Sequence, residues 1–229
     1  ILSQFRNLWD YSACKCVFSE VGYRYSEHLN FVVDLSVGEE RLLKNLSASK
    51  RRQIRRSMEK EGVEIVMSTD ESDIEELYGI LSDYYSKSVK KPLPPLDYFL
   101  VLIRLLAERG MVRVFLVRHG SRIIGGIICP ISENAFKRTI YELYICGSRS
   151  HDRLYPSVLS TWAPIEWGAN NGMTFFDFMG AGKPNVGYGV REFKSKFGGH
   201  LVSNGRFEKI HQPFKYKLAN AGLKVRQLF

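Results

Sequence analysis

TFFDFMGAGKPNVGYGVREFKSKFGGHLVSNG, residues 174–205, carries a strand, a glycine turn, a cationic helix and a second strand in one short stretch. Thr174 to Phe178 alternates aromatic residues with Asp177, the pattern of a short buried strand. Gly180, Gly182, Gly187 and Gly189 then supply a turn whose backbone can take positive φ and pass close to a ligand. From Tyr188 to Phe197 the spacing becomes helical, with Val190, Phe193 and Phe197 on one stripe and Arg191 and Lys194 on a neighbouring face. Gly198 and Gly199 end that helix, and HLVSNGRFEKI, 200–210, reads as the last strand.

Working outward, Asp152 to Asn170 reads as a long helix, with Asp152 or Ser150 as N-cap, Pro156 in the tolerated first turn and Pro164 inside. Its buried stripe is Leu154, Val158, Trp162 and Ile165. Before it come 111–120 and 121–131, a hairpin with a His-Gly-Ser turn, and a third strand, 136–147. Helices are expected at 96–109 and 70–86, the second with Ile74, Leu77, Tyr78, Leu81 and Tyr85 facing the core. Glu39 to Glu61 reads as one helix, with Leu42, Leu43, Leu46, Ile54 and Met58 in one arc and Arg51, Arg52, Arg55 and Arg56 in the next. A solvated face is the ordinary fate of such charge, but four arginines without interleaved acids repel one another and suit phosphate binding. Residues 1–36 read as the tail of a preceding domain or an N-terminal packing segment, 37–210 as the main domain, and 211–229 as a basic tail.

With 229 residues, 45% of them apolar, the chain can bury a substantial core. Its net charge of +9 favours an anionic partner such as tRNA, a pyrophosphate-bearing lipid intermediate or a membrane surface. Cys14, Cys16, Cys129 and Cys146 have neither zinc-site spacing nor disulfide-scaffold density, so reduced thiols and a cytoplasmic location are expected. No apolar run is long enough to span a bilayer, and the five histidines are scattered, so no metal site is expected. Gly182-Lys183 is not a P-loop, because Asp177 stands where glycine is needed and Pro184 where Ser or Thr is needed.

The blocks FDFMGAG (176–182), REFKSKFGG (191–199) and, upstream, SKRRQIRRSMEKEG (49–62) resemble the Fem family, the peptidyltransferases of peptidoglycan cross-bridges. The likeness runs over about residues 31–207. It implies an α/β fold of the Gcn5-related N-acetyltransferase (GNAT) type, a mixed and mainly antiparallel sheet flanked by helices. It also implies an acyltransferase that moves an aminoacyl group from charged tRNA to an amine of a cell-wall precursor, with no cofactor. Acetyl-CoA enzymes of this fold grip pyrophosphate with glycine-rich amides at the start of the central helix. Here GSRSHDRLYPS (147–157) lacks those glycines and puts Asp152 and Pro156 in their place, so CoA is the less favoured donor.

On the same likeness Lys194, after Phe193, is the residue expected to meet the aminoacyl end of the tRNA during transfer. Arg191 is a second cation for a phosphate, and Asp177 is a candidate base or orienting group. Tyr188 and Tyr144 are candidates for stacking on sugar or base, and Arg51, Arg52 and Arg55 for phosphate contacts. Two alternatives stay open at this point: acyl transfer from CoA to a polysaccharide or small amine, and a non-catalytic module binding RNA or a membrane surface through the arginine helix.

Overall fold

The computed structural model describes residues 1–134, 137–187 and 189–228. In its first part the strand β1 (Leu2–Arg6), the helix α1 (Lys15–Glu20), and the strands β2 (Arg24–Ser26) and β3 (Leu29–Asp34) lead into the helices α2 (Glu39–Asn45) and α3 (Ala48–Met58). The strand β4 (Val63–Met67), the helices α4 (Glu71–Tyr84) and α5 (Leu96–Ala107), and the hairpin β5 (Val112–His119) and β6 (Arg122–Glu133) follow. Next come β7 (Arg138–Tyr141), β8 (Tyr144–Gly147), α6 (Pro156–Asn170) and β9 (Phe175–Gly180). Last are α7 (Gly189–Ser195), β10 (His200–Ser203), β11 (Arg206–Ile210) and α8 (Pro213–Leu228).

The main sheet runs β10-β3-β9-β7-β6-β5-β4, with β8 also paired to β6. All its pairs are antiparallel except β7 with β9, two strands joined by a crossover that runs through β8 and α6. Thr139, Ile140 and Tyr141 stand opposite Phe175, Phe176 and Asp177, and then the strands part. β8 stays with β6, pairing Ile128 with Tyr144, while β9 stays with β3. The last link before the fork is the Glu142 amide donating to the Asp177 carbonyl at 2.9 Å. On one face of this sheet α6 buries Val158, Leu159, Trp162 and Ile165 against Phe176, Phe178 and Ile140. On the opposite face, α4 and α5 build a second cluster from Ile74, Leu77, Leu81, Phe99 and Ile103, so that Phe115 and Val117 of β5 face α6 while Val114 and Leu116 face α4 and α5.

Several expected elements are divided in the structure. The helix expected over 39–61 breaks at Leu46, and Ser47 caps α3 by accepting the Lys50 amide at 3.3 Å. The break resets the helical phase, so Met58 is exposed, while Ser57 turns inward and donates to the Leu154 carbonyl at 2.7 Å. The strand expected over 136–147 is interrupted at Glu142 and Leu143. The long helix begins at Pro156 rather than Asp152: residues 149–154 form a 3-10 turn, and Tyr155, with φ of 50°, precedes the helix. The last expected strand is two, β10 in the main sheet and β11 between β1 and β2 in a separate three-stranded sheet. The basic tail is the helix α8.

Candidate active site

The fork between β8 and β9 opens a cleft of about 430 Å³. Lys194 of α7 and Glu142 at the strand break face each other across it, Nζ to Oε1 at 3.1 Å. The ammonium also donates to the Phe178 carbonyl at 2.5 Å and the Gly180 carbonyl at 3.1 Å, carbonyls that β9 leaves unpaired as it bends away from β7. Lys194 is buried at 5% exposure, and Phe178 lies 5.6 Å beneath the ammonium. Burial pushes the Glu142 carboxyl above its ordinary range, and the Lys194 charge only partly offsets this. A carboxylate raised toward neutrality beside an ammonium is suited to receiving and passing on a proton.

Phe193 points the other way. Its ring packs on Phe197 at 5.2 Å and carries the Lys50 ammonium 4.3 Å above it, so it anchors α7 to α3 and does not line the cleft. That ammonium is the unexpected buried charge of α3, and burial with the nearby Lys196 charge lowers its pKa to about 8. Arg191 is spent on the backbone: its guanidinium donates to the Ala181 carbonyl at 2.8 Å and the Lys183 carbonyl at 2.5 Å, fastening the glycine turn to α7. Val190, expected on the buried stripe, is 43% exposed.

Asp177 is buried but does not share the Lys194 cleft. It lines a separate cavity on the sheet face away from α6, and it receives the Asn30 amide at 3.1 and 3.3 Å and the Met179 amide at 2.6 Å. Those bonds hold Met179 at φ 56°, a left-handed conformation that costs a non-glycine residue about 1–3 kcal/mol. Desolvation raises the Asp177 pKa to about 6 despite the donors. Tyr144 does line the cleft, half-buried against Phe99 at 4.9 Å. Tyr188 lies outside the described residues. Arg51, Arg52 and Arg55 are exposed on α3 and reach none of the cleft lining; Arg55 makes a 3.7 Å ion pair with Glu59.

Glu142 is the residue that sequence reasoning missed, and its signal was a lone acid inside the apolar run YELYICG (141–147). Asn30, Arg6 and Arg206, also on the lining, were missed because they arrive from strands remote in sequence.

The family model of the acetyltransferase (GNAT) domain matches residues 44–195. The chain therefore belongs to the GNAT domain family, and it is an acyltransferase. No curated protein sequence matches it significantly. Among solved structures, FemX superposes with a TM-score of 0.71 at 14% identity, over 88% of this chain and 69% of FemX. The C-terminal domain of a protein assigned as a lysylphosphatidylglycerol synthetase from Agrobacterium fabrum gives 0.64 at 15% identity, over 97% and 72%. L-PGS from Bacillus licheniformis gives 0.62 at 17%, over 95% and 71%. These likenesses show the Fem-like form of the GNAT fold.

In this GNAT domain the start of the central helix is closed rather than cradle-like. Pro156 has no N–H, the Val158 and Leu159 amides both donate to the Tyr155 carbonyl, and a Cβ on Gly147 would stand 2.3 Å from Ser157 Oγ. Helix start and strand end are thus packed together where amides would otherwise be free for an anion. Among the described residues no cluster of metal-ligating side chains occurs, all four cysteines are free thiols, and no helix is long and apolar enough to cross a membrane.

Proposed function

We propose that this GNAT domain is a Fem-like aminoacyltransferase, moving an aminoacyl group from charged tRNA to an amine of an anionic cell-wall precursor, with the Lys194–Glu142 pair as its reacting centre. The observation that carries this reading is a buried ammonium and a raised carboxyl facing each other in the strand fork, beside a central helix that starts on Pro156 and whose Val158 and Leu159 amides are already committed to Tyr155. The structural neighbours include FemX and a protein assigned as a lysylphosphatidylglycerol synthetase, names in keeping with aminoacyl transfer.

In this reading the acceptor's neutral amine attacks the ester carbonyl in the cleft, forming the new C–N bond and a tetrahedral oxyanion. Lys194 turns the N–H it gives Glu142 toward that oxyanion, its other two donors staying on the Phe178 and Gly180 carbonyls. Glu142 takes the proton that the nitrogen sheds. Collapse then breaks the ester C–O bond, and the proton passes from Glu142 to the departing ribose oxygen, which restores the pair. Asp177 acts behind this centre as a positioning residue, setting Asn30 and the Met179 turn. The exposed arginines of α3 supply phosphate contacts outside the cleft.

Calorimetric titration tests the donor. Charged tRNA is expected to bind saturably with a steep salt dependence, whereas CoA shows no micromolar binding. Arg51→Glu with Arg55→Glu should flatten the salt slope by about 0.7 to 0.9 for each phosphate that the protein no longer neutralises. Micromolar CoA affinity, or a slope unchanged in that variant, would contradict the assignment.

A further inference from the structure

On the face of the main sheet away from α6 lies a second, smaller cavity of about 180 Å³. Its floor comes from the parallel pair β7 and β9, where Tyr141 and Asp177 are direct register partners and Thr139 stands two residues earlier on the same face. The Thr139 and Tyr141 hydroxyls are buried without a hydrogen-bond partner among the described residues. Ser132 and Thr139 stand near the Tyr141 hydroxyl but outside bonding geometry. Leaving two neutral hydroxyls unpaired costs on the order of 1–3 kcal/mol each, and native interiors rarely tolerate this where no ligand or water meets them.

The walls are aromatic. Trp9 and Phe175 flank the opening, and the Lys137 ammonium rests over both rings, 5.1 Å from one centroid and 5.4 Å from the other. Trp9 is held in place because Asn7 donates to the Asn204 carbonyl at 2.8 Å and Asn204 donates to the Leu8 carbonyl at 3.1 Å. Rings that already carry one ammonium, above a floor of one carboxylate and two unused hydroxyl oxygens, form a cation-selective composition. The volume suits a head group rather than a whole ligand.

We infer that this cavity is a binding site for a primary ammonium head group, whose three N–H donors are taken by Asp177, Thr139 and Tyr141 while Trp9 and Phe175 enclose its alkyl stem. Lys137 stands at the rim of the site, over the Trp9 and Phe175 rings, and gives way to the ligand. The site shares no lining residue with the Lys194 cleft and does not depend on the reading of that cleft. The two communicate through Asn30, which lines the cleft and donates to Asp177.

The test is calorimetric and NMR titration of the intact chain with n-butylammonium chloride, against 1-butanol and sodium butyrate as neutral and anionic isosteres. Butylammonium should bind saturably, with both isosteres at least about tenfold weaker, the margin of a charge-assisted hydrogen bond. Thr139→Val with Tyr141→Phe should weaken it at least about tenfold while leaving the melting temperature unchanged or raised, since it removes two unpaired buried hydroxyls. Lys137→Met should strengthen binding by removing the competing cation. Preference for butyrate, binding that needs Lys137, equal binding by the double variant, or no saturable binding would each overturn the inference.

Discussion

Lys194→Met is expected to lower turnover by roughly 10²–10³-fold, the effect of losing one donor to a tetrahedral oxyanion. The same change strips a buried carboxyl of its counter-charge, so it should also destabilise the fold by about 3–5 kcal/mol. A surface lysine would show neither effect, and a lysine held at 5% exposure by two carbonyls and Glu142 should show both. The two losses are separable in Lys194→Met with Glu142→Gln, which removes both charges together. That variant should recover most of the stability, because a neutral amide no longer needs an ammonium, while turnover stays low. Recovery of stability and turnover together would mean that the pair only supports the fork.

Asp177→Asn is expected to raise stability at neutral pH and to do nothing at acid pH. The folded carboxyl, at about 6, lies above its ordinary 3.8, so the native state binds more protons than the unfolded chain between those values. Stability contributed by this group is therefore full below about pH 4 and is lost as the pH rises through 6. The neutral-pH penalty is about 3 kcal/mol. An asparagine keeps an oxygen for the Met179 amide, and the Asn30 side chain can turn its own oxygen to the new amide. Urea unfolding at pH 3.5 and 7.5 measures the difference. A variant destabilised more at pH 7.5 than at pH 3.5 would mean that the carboxylate's hydrogen bonds outweigh its desolvation.

The legible parts of the fold were those whose cause is local. The strand before the glycine turn, α7, the β5–β6 hairpin and the core faces of α4 and α6 follow from period and turn chemistry, and the structure has them. Errors arose where one residue resets a period. Ser47 recaps the chain and shifts the phase of α3, which exchanges Met58 for Ser57 and buries Lys50. Asn204-Gly205, with Gly205 at φ 69°, is a turn signal that divides β10 from β11, yet it lay inside a run read as one strand.

The site was legible only by halves. Lys194 stood out through the family likeness, but its partner Glu142 is 52 residues away and meets it only because α6 returns β9 parallel to β7. Such a crossover leaves no local trace that names which strand will be the neighbour. The sharing of a face by Arg191 and Lys194 was sound as helical geometry, yet Arg191 ends on backbone carbonyls and only Lys194 reaches the cleft. Asp177, one residue before Phe178, points to the opposite face by the alternation of a strand.

The most direct test of the account is aminoacyl transfer measured with a panel of charged tRNAs and acyl-CoAs against lipid-linked and soluble muropeptides, for the unaltered chain and for Lys194→Met with Glu142→Gln. The account predicts peptide-bond formation from a charged tRNA, none from acyl-CoA, and a loss of roughly 10²-fold or more in the folded double variant. Transfer from acyl-CoA alone, or full transfer from tRNA by the double variant, would contradict it.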